Sequence, residues 1–302
     1  MSICIFGGTG FIGRHLCQQL HAANIGATVV SRNPDRKFLA DHAPALVSLT
    51  IDDPAVEDAL KEASVVFYLA SGTRPASSPL DPAFELAQAA EGAALMTAIR
   101  DINPDCHIVF ASSGGQIYGQ GHDRPIAETA PAQPATAYAL GKLMMEDILS
   151  FHQRATGLGV TILRVANPVG RWQFGKGHGL VAAAIQSART EKPLTIFGDG
   201  ANMRDYFDAD ELATLLGRFA DPAFRPQGVY NIGSGVGVTE AGVIEIVQRV
   251  TRRTIPLIFA PARPFDLRYA VLDVGRARRE LGWAPRHDLE STVAKILENL
   301  GA

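Results

Sequence analysis

Through its first half the chain alternates short, almost continuous apolar runs with longer stretches of helical period. Ile3-Cys4-Ile5-Phe6, Ala27-Thr28-Val29-Val30-Ser31, Val65-Val66-Phe67-Tyr68-Leu69-Ala70, His107-Ile108-Val109-Phe110-Ala111 and Val160-Thr161-Ile162-Leu163-Arg164 read as strands. Helical spacing runs over 11–20, 54–62, 83–100 and 137–155; in the first of these Phe11, Ile12, Leu16 and Leu20 fall on one face. Near-continuous apolar strands separated by helices predict a parallel sheet covered on both faces, with ligands bound at the carboxyl ends of its strands. After about residue 166 the rhythm changes: loops such as Asn167-Pro168-Val169-Gly170 and Phe197-Gly198-Asp199-Gly200 appear, then a strand-like Val229-Tyr230-Asn231-Ile232 and helices near 239–251 and 289–300. There is no internal repeat and no low-complexity linker, so the second region is expected to pack tightly on the first.

Composition adds mainly exclusions. The 302 residues are 47% hydrophobic and 20% charged, with a net charge of −3, which suits a soluble enzyme and gives no reason to expect nucleic acid as a partner. No apolar run approaches the roughly 20 residues that cross a bilayer, and a core strand beginning at about residue 2 leaves no room for a secretory leader. Cys4, Cys17 and Cys106 are scattered over predicted core elements and read as reduced thiols, so a cytoplasmic enzyme is expected. The eight histidines show no metal-ligand spacing, and no metal is expected.

The first strand runs into Gly7-Gly8-Thr9-Gly10-Phe11-Ile12-Gly13 and then into the first helix. In that context Gly7 and Gly10 let the backbone turn tightly against a pyrophosphate, Gly13 lets helix and strand pack closely, and the helix N-terminus faces the phosphate charge. The second strand ends in Ser31-Arg32 rather than in an acid. An acid there would accept from the adenosine ribose and mark NAD, whereas Arg32 suits the 2′-phosphate of NADP; an Arg32 in solvent or stacked on adenine serves either cofactor. Asp52, after the next apolar run, either binds the adenine amino group or caps the helix starting at Pro54.

Tyr138-Ala139-Leu140-Gly141-Lys142 places a phenol and an ammonium four residues apart on one helical face. An ammonium beside a phenol stabilises the phenolate and makes Tyr138 usable as an acid/base. The strand end Phe110-Ala111-Ser112-Ser113-Gly114-Gly115-Gln116-Ile117-Tyr118-Gly119 offers a hydroxyl to the same substrate oxygen.

With these elements in view, the chain resembles the extended short-chain dehydrogenases/reductases of the nucleotide-sugar epimerase/dehydratase family. The resemblance spans nearly the whole length and includes Leu163-Arg164-Val165-Ala166-Asn167-Pro168-Val169-Gly170, Ile196-Phe197-Gly198-Asp199-Gly200 and Arg204-Asp205-Tyr206. It continues through Tyr230-Asn231-Ile232-Gly233-Ser234-Gly235, Arg263-Pro264-Phe265-Asp266 and Arg278-Arg279-Glu280-Leu281-Gly282-Trp283. It implies an α/β fold: a Rossmann doubly wound parallel sheet with a smaller C-terminal α/β substrate-binding region. Residues 1–165, with a returning segment at about 205–235, would bind the dinucleotide, and 166–204 with 236–302 the nucleotide sugar. It further implies Tyr138 as catalytic base, Lys142 positioning it and touching the nicotinamide ribose, and Ser113 as partner hydroxyl. Gly7, Gly10, Phe11, Ile12, Gly13, Ser31, Arg32, Asp52, Leu69 and Ala70 would contact the cofactor. Ser112, Asn167, Arg204 and Arg263 would bind substrate, the last three at the diphosphate, with Asp266 near the nucleoside ribose. Arginine forks suit phosphate oxygens. Arg171, Lys176 and His178, in the loop after Asn167, are further candidates. A homodimer through the helices near 83–100 and 137–155 also follows from the resemblance.

Three departures matter. The family usually has Ser or Thr where this chain has Gly114, so Ser113, or else Ser112, must supply the hydroxyl. Members that make 4-keto-6-deoxy sugars carry Thr-Asp-Glu across the equivalent of Gly114-Gly115-Gln116; Gln116 exchanges no protons near neutral pH, which argues against a 4,6-dehydratase. At Tyr68-Leu69-Ala70-Ser71 the family commonly has a histidine and a second alanine, a change expected to affect local packing. The leading expectation is a UDP-sugar 4-epimerase working through a 4-keto intermediate with NAD. The alternative is an NADPH-dependent reductase of a 4-keto nucleotide sugar, NADP being suggested by Ser31-Arg32. A non-catalytic dinucleotide sensor ranks last, since it needs neither Tyr138 nor Lys142.

Overall fold

A computed structural model of the protein describes residues 2–73, 80–173 and 179–300. Elements of the first half are β1 (Ser2–Phe6), α1 (Phe11–Ala22), β2 (Thr28–Ser31), α2 (Arg36–His42), β3 (Val47–Thr50) and α3 (Ala55–Glu62), then β4 (Ala63–Tyr68), α4 (Pro82–Ile102), β5 (His107–Ser113), α5 (Ala137–Thr156) and β6 (Gly159–Val165). The second half holds β7 (Asn167–Val169), α6 (Leu180–Thr190), β8 (Leu194–Phe197), β9 (Met203–Asp208), α7 (Ala209–Gly217) and β10 (Gly228–Ile232). It ends with β11 (Gly237–Thr239), α8 (Glu240–Thr251), β12 (Leu257–Ala260), β13 (Tyr269–Ala270), α9 (Gly275–Leu281) and α10 (Leu289–Asn299).

Seven parallel strands form the main sheet in the order β10-β6-β5-β4-β1-β2-β3. The strand order reverses between β1 and β4, and a doubly wound sheet opens its ligand crevice at that point, beyond the carboxyl ends. The apolar runs are buried on both faces, as a parallel sheet requires. Ile3, Ile5, Val65, Phe67 and Val109 pack on the α1 and α7 side with Leu16, Leu20, Leu212 and Phe219. Cys4, Phe6, Val66, Ile108 and Phe110 pack on the other side with Met96, Met145 and Leu149. Cys4, Cys17 and Cys106 are buried and free, and burial pushes each thiol up to about 12.

The two long helices are bounded by local chemistry. Asp81 Oδ1 accepts from Phe84 N at the start of α4, with Pro82 in the first turn. Thr136 Oγ1 accepts from Ala139 N at the start of α5, which ends on Gly157 at φ 78°. The altered rhythm after residue 166 reflects two small sheets: β7, β9, β11 and β13 around one centre, and the parallel pair β8–β12. A third apolar cluster of α6, α8 and α10 residues, among them Ile185, Val243, Val247 and Val293, covers this region. No helix is long and apolar enough to cross a membrane among the described residues.

Candidate active site

The glycine turn sits at the carboxyl end of β1. Gly7 has φ 82°, and a Cβ on it would lie 2.7–2.9 Å from the Leu69–Ala70 backbone, so the expected cofactor residues of the β1 and β4 ends meet here. A Cβ on Gly13 would run into Gly7 O and the Gly8 backbone, which fixes how closely α1 approaches the strand. Gly10 precedes α1 with no side-chain cap and no acid in the first turn. The first N–H groups of α1 therefore keep their hydrogen-bonding capacity for an anion. These features fit a dinucleotide pyrophosphate.

Around the expected adenosine end, Ser31 Oγ lies 3.5 Å from Thr9 Oγ1, and Arg32 is exposed. The next acid in the chain, Asp35, accepts from Phe38 N at 2.9 Å and from Arg14 at 2.6 Å, and so is committed to capping α2 and holding Arg14. Asp52 is exposed and does not cap α3, whose N-cap position is Pro54; the first helical N–H, Ala55 N, donates to Asp53 Oδ1 at 2.9 Å instead.

Tyr138 and Lys142 occupy the first turns of α5 beside the end of β5. Lys142 is buried; its Nζ donates to Ala111 O at 3.0 Å and lies 5.0 Å from the Phe110 ring centroid and 5.9 Å from that of Tyr138. Burial pushes the Lys142 ammonium down to about 8, opposed by the Glu85 and Glu146 carboxylates. The expectation of a lowered phenol is not met in the protein alone: burial pushes Tyr138 up to about 12, a hydrogen bond from the Ser113 side opposes the rise, and Glu85 adds to it. Desolvation penalises both charged forms and is the largest cause of each shift.

The two serines of β5 part company. Ser113 is the one beside the Tyr138 phenol. Ser112 Oγ, the expected substrate contact, donates to Glu146 Oε1 at 2.5 Å within a buried network. Glu146 also accepts from Arg164 Nη2 at 2.7 Å and from its Nε at 3.1 Å. Arg164 Nη1 donates to the Tyr118 hydroxyl at 2.9 Å, which donates to Asn231 Oδ1 at 2.7 Å. A side chain at Gly114 has no room, because its Cβ would lie 2.5 Å from Leu272 Cδ1 and 2.7 Å from Arg164 O.

The expected diphosphate residues converge beyond β5. Asn167 Nδ2 donates to Asp205 O at 3.0 Å, and its amide is the nearest group to Gly115. Arg204 donates to Met203 O at 2.9 Å and is held below the usual range by desolvation, with Glu240, Asp266 and Arg263 in its field. Arg263 stacks 4.2 Å over the Phe197 ring and makes a bidentate pair with Asp266 at 2.8 Å. Asp266 thus already occupies two donors of the Arg263 fork, leaving Nη1 outside the pair. Arg171 donates to Gln18 Oε1 on α1, while Lys176 and His178 lie outside the described residues. Sequence reading missed Glu85, Glu146, Glu240 and Asp205. Asp205 is fully buried and accepts from Ser234 N, Ser234 Oγ, Gly235 N and Leu272 N at 2.6–3.3 Å. Only its motif neighbours Arg204 and Tyr206 signalled it. No group of three or more His, Cys, Asp or Glu residues could hold a metal among the described residues.

The sequence and the fold recur in known proteins. The NAD dependent epimerase/dehydratase family matches residues 3–233. The UDP-glucose 4-epimerase of Mycolicibacterium smegmatis is 29% identical over 307 residues, covering 99% of this chain and 98% of the relative. The crystal structure of a UDP-glucose 4-epimerase with UDP-glucose from Thermotoga maritima has a TM-score of 0.88 at 28% identity, over 100% of this chain and 99% of that one. The Thermus thermophilus UDP-glucose 4-epimerase complex with NAD has a TM-score of 0.89 at 26% identity, with the same coverage. On its sequence match and its fold, this chain belongs to the NAD dependent epimerase/dehydratase family.

Proposed function

We propose that the chain is a nucleotide-sugar 4-epimerase, acting on a UDP-sugar with NAD held at the glycine turn. The observation that carries this reading is the convergence of Tyr138, Lys142 and Ser113 at the end of β5, one strand from the crevice opened by Gly7 and Ala70. A nicotinamide held at the glycine turn would supply the hydride acceptor and donor. Tyr138, as phenolate, takes the proton of the sugar 4-hydroxyl and returns it at the end of the cycle. Ser113 hydrogen-bonds the same oxygen and steadies it through the 4-keto stage. Lys142, fixed by Ala111 O, keeps a positive charge under the Tyr138 ring. Arg204, Asn167 and the free edge of Arg263 hold the diphosphate, while Asp266 orients Arg263 and faces the nucleoside ribose. The two faces of the sugar can then be presented in turn without loss of the nucleotide anchor.

The same reading assigns cofactor binding to residues 1–165 with a returning segment at about 205–235, and nucleotide-sugar binding to 166–204 and 236–302. The apolar cluster of α6, α8 and α10 supports a separate second region, although Leu272, Val274, Ala277, Leu281 and Trp283 pack into the core of the first. Exposed Phe84 and Leu86 on α4, with Leu140 and Phe151 on α5, support a homodimer formed through these helices. Buried, unpaired cysteines are in keeping with the cytoplasm. A second reading, one-step NADPH-dependent reduction of a 4-keto nucleotide sugar, is favoured by the exposed Arg32 and the absence of an acid at the end of β2.

The test is to acid-denature freshly purified protein, identify the released dinucleotide, and follow UDP-glucose and UDP-galactose interconversion with no cofactor added. Stoichiometric NAD and self-sustained interconversion are expected. An empty protein that binds NADPH selectively and does not interconvert the sugars would establish the second reading instead.

A further inference from the structure

Glu85 is a buried carboxylate for which the reaction above has no use. It lies in the first turn of α4, where the helix dipole favours a negative side chain, and is 5% exposed. It presses against α5 at Gly141: a Cβ there would lie 2.7 Å from Glu85 Oε2 and 3.0 Å from Glu85 Cβ. The other carboxylate oxygen, Oε1, is buried with no hydrogen-bond partner among the described residues. Gly141 directly precedes Lys142 and stands three residues after Tyr138, so the carboxylate is aimed at the turn that carries both. A buried acid with an unused oxygen is costly and persists where its charge is used.

Among the described residues, the surrounding charges leave Glu85 as the free one. From α5, Glu146 is neutralised by bidentate Arg164 of β6 and by Ser112. From β4, Tyr68 faces Glu91 and Arg32. Tyr118 is bonded to Arg164 and Asn231. Lys142 has no carboxylate within ion-pair distance among the described residues. We infer that Glu85 is a positioning residue of the acid/base centre, its buried carboxylate serving as the counter-charge that sets the working pH of Tyr138 and Lys142. The inference rests on the assignment of Tyr138 as base. A negative charge there favours the neutral phenol of Tyr138 and the ammonium of Lys142, and it enters the balance of both groups in that sense.

The sign is the same for both groups. Removing the charge makes the phenolate easier to form, which carries the acid limb of the rate profile downward. It also makes the ammonium easier to lose, which carries the alkaline limb downward. Glu85→Gln, assayed as kcat/KM for UDP-glucose across pH 6 to 10 in protein retaining its cofactor, is expected to shift the whole bell by roughly one pH unit to lower pH. The phenolate absorbance near 295 nm, taken as wild type minus Tyr138→Phe, is expected to rise at lower pH in the Glu85→Gln background. Glu85→Met makes the same charge change with an apolar side chain of similar length and replaces Glu85→Gln if the latter does not fold. A wild-type profile in whichever variant folds overturns the inference, whatever its rate, as does failure of both to fold, which would make Glu85 purely structural. Tyr138→Phe separates the two levels: if it remains active the base assignment itself falls, whereas an inactive Tyr138→Phe with an unmoved Glu85→Gln profile removes only Glu85.

Discussion

Ser112 and Ser113 are adjacent on β5, yet they belong to two differently built regions. Behind the strand end, Ser112, Glu146, Arg164, Tyr118 and Asn231 form a closed network in which each polar group has a partner. In front of it, Ser113, Tyr138 and Lys142 share fewer bonds, with burial pushing the phenol up to about 12 and the ammonium down to about 8. The saturated network fixes where α5 sits on β5 and β6, and the undersaturated one keeps its groups available to a ligand. Rigidity in one is what allows the other to remain poised without collapsing onto itself.

The contrast can be broken from the front first. Tyr138→Phe removes only a hydroxyl and is expected to lower turnover by about 10² to 10⁴-fold while dinucleotide content stays at the wild-type level. Near-normal turnover would remove Tyr138 from the chemistry. From behind, Glu146→Ala leaves Arg164 buried without its anion and is expected to lower unfolding free energy by about 3–5 kcal/mol, read by urea denaturation. A loss of a few tenths would show that the network is not a unit.

The serines give the finer comparison. Ser113→Ala is expected to cost turnover by about 10²-fold with little change in stability. Ser112→Ala is expected to do the reverse, weakening the fold by about 1.5–3 kcal/mol through loss of a hydrogen bond to a buried carboxylate, with turnover close to wild type. The opposite ranking in either measurement would exchange their roles.

Much of this was readable without coordinates. The strands at 28–31, 63–68, 107–113, 159–165 and 228–232 fall on the apolar runs, because a parallel strand covered on both faces must be apolar throughout. The helices at 137–156 and 240–251 likewise follow helical spacing to within a residue or two. The small strands β7, β11 and β13 were not legible, being two or three residues long and stabilised by their neighbours rather than by any pattern of their own. Asp53 in place of Asp52 as the acceptor at the start of α3 shows the same limit on a single-residue scale.

The division follows the range of the forces involved. Sequence by itself determined the glycine turn, the Tyr138–Lys142 spacing and the alternation of strand and helix, since each depends on residues within one or two turns of each other. Only the tertiary structure decided which serine meets Tyr138, that Arg263 is already paired with Asp266, and that burial sets the phenol and the ammonium. It alone brought Glu85, fifty-three residues before Tyr138 in the chain, against the same turn of α5. Desolvation and charge act through space, and no local pattern records which distant side chain will exclude the water.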